Sequence, residues 1–147
     1  MTFHAVDLNP TRWPLSRVLT LLLAGAFAGL TMDIRVEHVA VVHEHRVAWT
    51  PIVYCALMTL ATLLTCLVWS PRARTIMIPL YLLAFVVGGT GFYLHNDGHI
   101  VTALTGTLSA WTDSTLNHAE GPPQLAPLSL AGLGLLGVLA CLRRYDA

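Results

Sequence analysis

Four apolar runs, each close to the length of a membrane crossing and almost free of charge, constrain this chain more than anything else in it. They cover residues 15–32, 51–69, 76–94 and 125–142. A bilayer core about 30 Å thick needs about 20 mostly apolar residues in helix. Lipid offers backbone polar groups no partner outside a helix or a closed barrel. The expected fold class is therefore all-α, an integral membrane four-helix bundle. A single four-span domain should occupy residues 1–147, with outer loops at 33–50 and 95–124. The first and last runs are short for a full crossing, and Arg17, Arg143 and Arg144 are expected to snorkel to the head groups.

Composition closes off the alternatives. Charged residues make up 11% of the chain, hydrophobic ones 55%, and the mean hydropathy is +0.65. A soluble domain carries about a quarter charged residues, and one water-soluble core of this length could not hide so much apolar side chain. A net charge of zero without any basic run argues against a nucleic-acid partner. Cys55, Cys66 and Cys141 lie inside apolar runs, so they do not form a secreted disulfide framework. The bilayer is the expected partner.

Helix punctuation supports the spans. Thr50 and Pro51 read as N-cap and first helical residue, Ser70 and Pro71 close the second span, and Pro127 opens the fourth. Orientation follows from arginine, because the chain has no lysine. Arg12, Arg17, Arg72, Arg74, Arg143 and Arg144 fall on one face, and only Arg35 and Arg46 on the other. Both termini are therefore expected in the cytoplasm, in a bacterial-type inner membrane. Trp13 and Trp69 would mark the inner interface, Trp49 and Trp111 the outer. Residues 12–28 resemble a secretory signal ending in Ala26, Phe27 and Ala28; they are read as a signal-anchor helix. Gly25 and Gly29, the group Gly88, Gly89 and Gly91, and the stripe Gly132, Gly134 and Gly137 should let helices approach closely. They suit a bundle interior better than a dimer seam.

The titratable residues are sorted in a way that topology does not explain. Six of the seven histidines and six of the eight acids fall on the outer side. Within residues 33–46, a Glu–His pair recurs at Glu37–His38 and Glu44–His45. A first helix continued past the membrane surface would align Asp33, Glu37 and Glu44 along one face, with His38 and His45 on a neighbouring row. At the end of the third span, Asn96, Asp97 and Gly98 are turn residues. His95 should close that helix and His99 should follow the turn, at the same depth as residues 33–45. Residues 100–111 have helical apolar spacing but are too short to cross, and are read as an interfacial helix lying over the bundle mouth.

Imidazoles beside carboxylates suit a metal ion at the outer, periplasm-facing end of a bundle. His38, His45, His95 and His99 are the candidate ligands, and Glu37 and Glu44 are ligands or ring-orienting partners. Asp33 and His118 are further candidates. Without nearby thiolate, iron or copper is expected before zinc. Haem b is the second choice, with Gly88, Gly89 and Gly91 making room for the macrocycle. Such a site could be redox-active or pass an ion onward. The alternatives are solvated loop residues, a histidine pH sensor, or an accessory or anchor subunit whose outer loop docks other membrane subunits or a periplasmic partner. No HExxH, GxSxG or phosphate-binding glycine loop occurs, so the residues name no reaction.

Overall fold

The computed structural model describes residues 13–39, 42–102, 104–105 and 126–142. Every regular element among them is helical. Helix α1 is Leu15–Glu37, α2 is Trp49–Val68 preceded by a 3-10 turn at Arg46–Ala48, α3 is Pro71–His95 and α4 is Ala126–Leu142. The spans over α1, α2 and α3 are each long and apolar enough to cross a membrane, and α4 is a shorter apolar helix. Residues 100–102 and 104–105 are also helical, at the start of the expected interfacial helix. The remainder of that segment lies outside the described residues.

The helices pack in cyclic order. The closest pairs are α1 with α2 and α3 with α4, and the ring closes through α2–α3 and α1–α4. The turn between α2 and α3 needs only Trp69 and Ser70. Trp69 ends α2 in the left-handed region at φ 35°, and Ser70 caps α3 by accepting from Ala73 N at 3.1 Å, with Pro71 at the first position. Ser70 and Pro71 thus open the third helix rather than close the second. Trp49 and Thr50 are already helical, so Pro51 is the third helical residue, still within the first turn. A proline costs no hydrogen bond there.

Small residues form the α3–α4 seam. A Cβ at Gly88 would come within 2.6 Å of both Ala131 N and Pro127 O, one at Gly134 would meet Tyr81 O and Ala84, and one at Gly137 would enter the Tyr81 ring. Tyr81 crosses the centre, stacking on Phe27 of α1 at 6.2 Å and donating its hydroxyl to Thr62 Oγ1 of α2 at 3.2 Å. Leu23, Cys55, Met58, Met77, Ala84 and Leu130 pack around that pair. The outward faces carry leucine and valine, such as Leu22, Leu57, Leu64 and Val68. A helix apolar all round belongs in a non-aqueous setting. Gly25 and Gly29 look outward with nothing within 4 Å of either, so this pair takes no part in the interior packing expected of it.

Arg17 departs from the snorkelling expectation. Its Nε donates to Cys66 O at 2.9 Å while Cys66 Sγ donates to Arg17 O at 3.7 Å, and its guanidinium lies 4.1 Å from the Trp13 ring centre. At 6% exposure the side chain caps the carbonyl end of α2, where the helix dipole is negative. One residue thereby ties the start of α1 to the end of α2.

Gly137→Leu should therefore lower stability by about 1–3 kcal/mol through overpacking against Tyr81, whereas Gly25→Leu should be within about 0.5 kcal/mol of the parent. Unfolding in detergent, followed by helical circular dichroism, compares the two. Equal losses would contradict the seam described here.

Candidate functional site

The outer rim is built from two helix ends. At the end of α1, His38 is the C-cap, with φ −94° and ψ 8°. Its backbone N–H donates to Ile34 O at 2.9 Å, and its ring Nδ1 meets the same carbonyl at 2.9 Å. A carbonyl only accepts, so Nδ1 carries the proton and Nε2 of the neutral ring holds a free lone pair. Val42 then folds back, donating to His38 O at 2.9 Å and burying its side chain to 4% exposure.

That local structure corrects one expectation. The alignment of Glu37–His38 with Glu44–His45 required α1 to run on through residue 46, but the helix ends at Glu37. The His38 side chain takes a terminal carbonyl, buried Val42 draws the chain inward, and the valines after residue 38 have weak helix propensity. Asp33 and Glu37 are exposed on α1, and His43, Glu44 and His45 are exposed on the following turn.

The end of α3 matches its reading. His95 is the last helical residue, and Asn96 caps it, its side-chain amide donating to Phe92 O at 2.8 Å. Asp97 and Gly98 turn the chain with φ 48° and φ 81°, and Gly98 N donates to Tyr93 O at 3.0 Å. A side chain at Gly98 would be strained by that φ and would also press on the Tyr93 ring. His99 emerges beyond the turn, exposed.

Of the eight candidate ligands, the folded helices bring two together. The His38 and His95 rings have centroids 5.9 Å apart and planes at 56°. Both residues are half-buried, and His95 Nδ1 is the one buried side-chain polar atom without a hydrogen-bond partner among the described residues. No group of three or more His, Cys, Asp or Glu side chains converges among those residues. Asp33, Glu37, Glu44, His45 and His99 therefore do not form a cluster with the pair. His118 lies outside the described residues. Arg35 closes the rim on the α2 side, its guanidinium 5.5 Å from the Trp49 ring centre.

Two helix ends meet at this rim. Helices α1 and α3 both present their carbonyl ends here, and each helix C-terminus acts as about half a negative charge. Of the three glycines expected to make room for a macrocycle, Gly88 is filled by Pro127 and Ala131 of α4 and Gly91 is packed by Pro127, while Gly89 is open with nothing within 4 Å. The carbonyl of Ile34 was not anticipated as a partner; the signal available was its position four residues before His38.

No protein-family model, curated protein or solved structure matches this chain.

Nitrogen-15 NMR of histidine-labelled protein in detergent should find His38 in the Nδ1–H tautomer. An Nε2–H ring would contradict the contact with Ile34 O.

Proposed function

We propose that this chain is a four-span bundle of the inner membrane that holds a single transition-metal ion at its outer end, between His38 and His95. Both termini face the cytoplasm. The arginine asymmetry and the tryptophans support that orientation. Trp13 and Trp69 pair with Arg17 and Arg74 at one end of the helices, and Trp49 pairs with Arg35 at the other. The fourth crossing is assigned to α4.

The imidazole pair carries the metal reading. A metal bonded to a ring nitrogen at about 2.0–2.1 Å lies about 3.2 Å from the ring centre, so two rings sharing an ion have centres about 5–6.5 Å apart. The 5.9 Å between the His38 and His95 ring centres falls inside that range. His38 already has the arrangement usual for a ligating histidine, one nitrogen donating to a backbone carbonyl and the other free. The half-charges of two helix ends add attraction for a cation. Imidazole without thiolate suits iron or copper. A lone ion is preferred to haem b because α4 occupies the space at Gly88 and Gly91. Redox cycling and transfer of the ion to a periplasmic acceptor are both open to such a site; these residues assign no substrate.

The purified protein should bind about one equivalent of metal, measured by elemental analysis after equilibration with copper or iron. His38→Ala and His95→Ala should each reduce that at least tenfold, and His43→Ala should not. Ligand imidazoles must be neutral, so occupancy should fall on acidification. No metal uptake, with all variants alike, would overturn the proposal in favour of an accessory subunit that docks through its outer loops. A Soret band would favour haem.

A further inference from the structure

The end of the bundle opposite the histidines carries a charged feature of its own, at the turn from α2 into α3. Helix α3 opens with Ser70 as cap and Pro71 first, then places Arg72 and Arg74 in its opening residues with no acid in the first turn. A helix N-terminus acts as about half a positive charge, so cations there meet a like charge and anions are attracted. Among the described residues the acids are Asp33, Glu37, Glu44 and Asp97, all at the histidine end. Sorting of arginine across a membrane accounts for the side on which Arg72 and Arg74 lie. It does not account for their place at the positive end of a helix.

The local geometry leaves Arg72 facing outward. Ser70 takes Ala73 N at 3.1 Å through its side chain and Arg74 N at 3.1 Å through its carbonyl. The Arg74 guanidinium lies 5.2 Å from the Trp69 ring centre, and Arg72 is exposed. Arg72 heads a row along the outside of α3. Ile76, Pro79 and Leu83 follow it at steps of four, three and four residues, the spacing of one helix face. All three are exposed, Ile76 at 65%. The face is therefore cationic at its start and apolar beyond. A free inorganic anion would use only the first part. A phospholipid with a negative head group uses both, its phosphate on the guanidinium and helix end and its acyl chain on the apolar row.

We infer that the turn from Trp69 to Arg74 binds the head group of an anionic phospholipid, with Arg72 as the main contact and Ile76, Pro79 and Leu83 as the bed for an acyl chain. This site is separate from the histidine rim and needs no metal there.

The delipidated full chain in neutral detergent, titrated with phosphatidylglycerol or with phosphatidylcholine of the same acyl chains, tests this. Native mass spectrometry counts the bound lipid, and helical circular dichroism follows thermal unfolding. Phosphatidylglycerol should bind at least tenfold more tightly than phosphatidylcholine and should raise the unfolding midpoint. Arg72→Gln should weaken phosphatidylglycerol about fivefold, the effect of one arginine at an anionic surface, and Arg46→Gln at the outer rim should not. Without lipid, Arg72→Gln should unfold at the parent temperature or above it, because it removes a like charge from the helix end. Lost binding is then distinct from lost folding. Equal affinity for the two lipids, equal weakening by Arg72→Gln and Arg46→Gln, or a lower lipid-free midpoint in Arg72→Gln would overturn the site. Inorganic phosphate at millimolar concentration raising the midpoint as far as phosphatidylglycerol does would overturn the lipid assignment in favour of a free anion.

Discussion

Lipid donates and accepts no hydrogen bonds, so every polar atom inside this bundle has to be satisfied by the protein itself. The chain meets that demand with short, local solutions. Thr20, Thr31, Thr59 and Thr65 return their hydroxyls to carbonyls one turn back. The Tyr54 hydroxyl donates to Leu80 O beside Pro79, and that of Tyr81 to Thr62. Arg17, the most polar group in the interior, spends its Nε on the end of α2. Against that background a single buried nitrogen on His95 stands apart. It lies beside a second imidazole whose own proton is already committed. Leaving a buried polar atom unpaired costs about 1–3 kcal/mol, and the proposed cation would be a partner for it.

The helix packing decides which residues reach that spot. Helices α1 and α3 are diagonal in the cyclic arrangement, and they touch through long side chains: Phe27 on Tyr81 in the middle, His38 on His95 at the rim. The glycine seam brings α4 close against α3, which fixes α3 laterally and fills the space at Gly88 and Gly91. Because both diagonal helices run in the same direction, both carbonyl ends arrive at the same rim. The bundle thus brings two helix carbonyl ends to the rim where the imidazoles meet.

Much of the fold was legible because apolar length and turn chemistry are local properties. The four runs, the break at Asn96–Gly98 and the position of His95 all follow from residues adjacent in sequence. The site was legible only in part. His38 and His95 belonged to the expected set, but so did Glu44 and His45, which entered through a helix extended too far. Where α1 stops depends on the His38 side chain and on Val42 finding a buried position, and neither contact is written in a periodicity. Arg17 misled for a related reason, since a residue near a membrane surface can reach outward or inward, and the open carbonyl of Cys66 that draws it inward lies 49 residues away. Gly25 and Gly29 have the spacing of a packing motif but face outward, because the seam was formed by α3 and α4 instead.

The central claim is that, among the described residues, His38 and His95 are the histidines that form a place for a transition-metal ion. Silver(I) is a diamagnetic stand-in whose spin-½ nuclei couple to a bonded nitrogen, so one equivalent added to histidine-labelled protein reads the ligands directly. The account predicts silver–nitrogen splitting on one nitrogen each of His38 and His95, with His43, His45 and His99 unmoved. Splitting on those exposed rings, or on none, would contradict it.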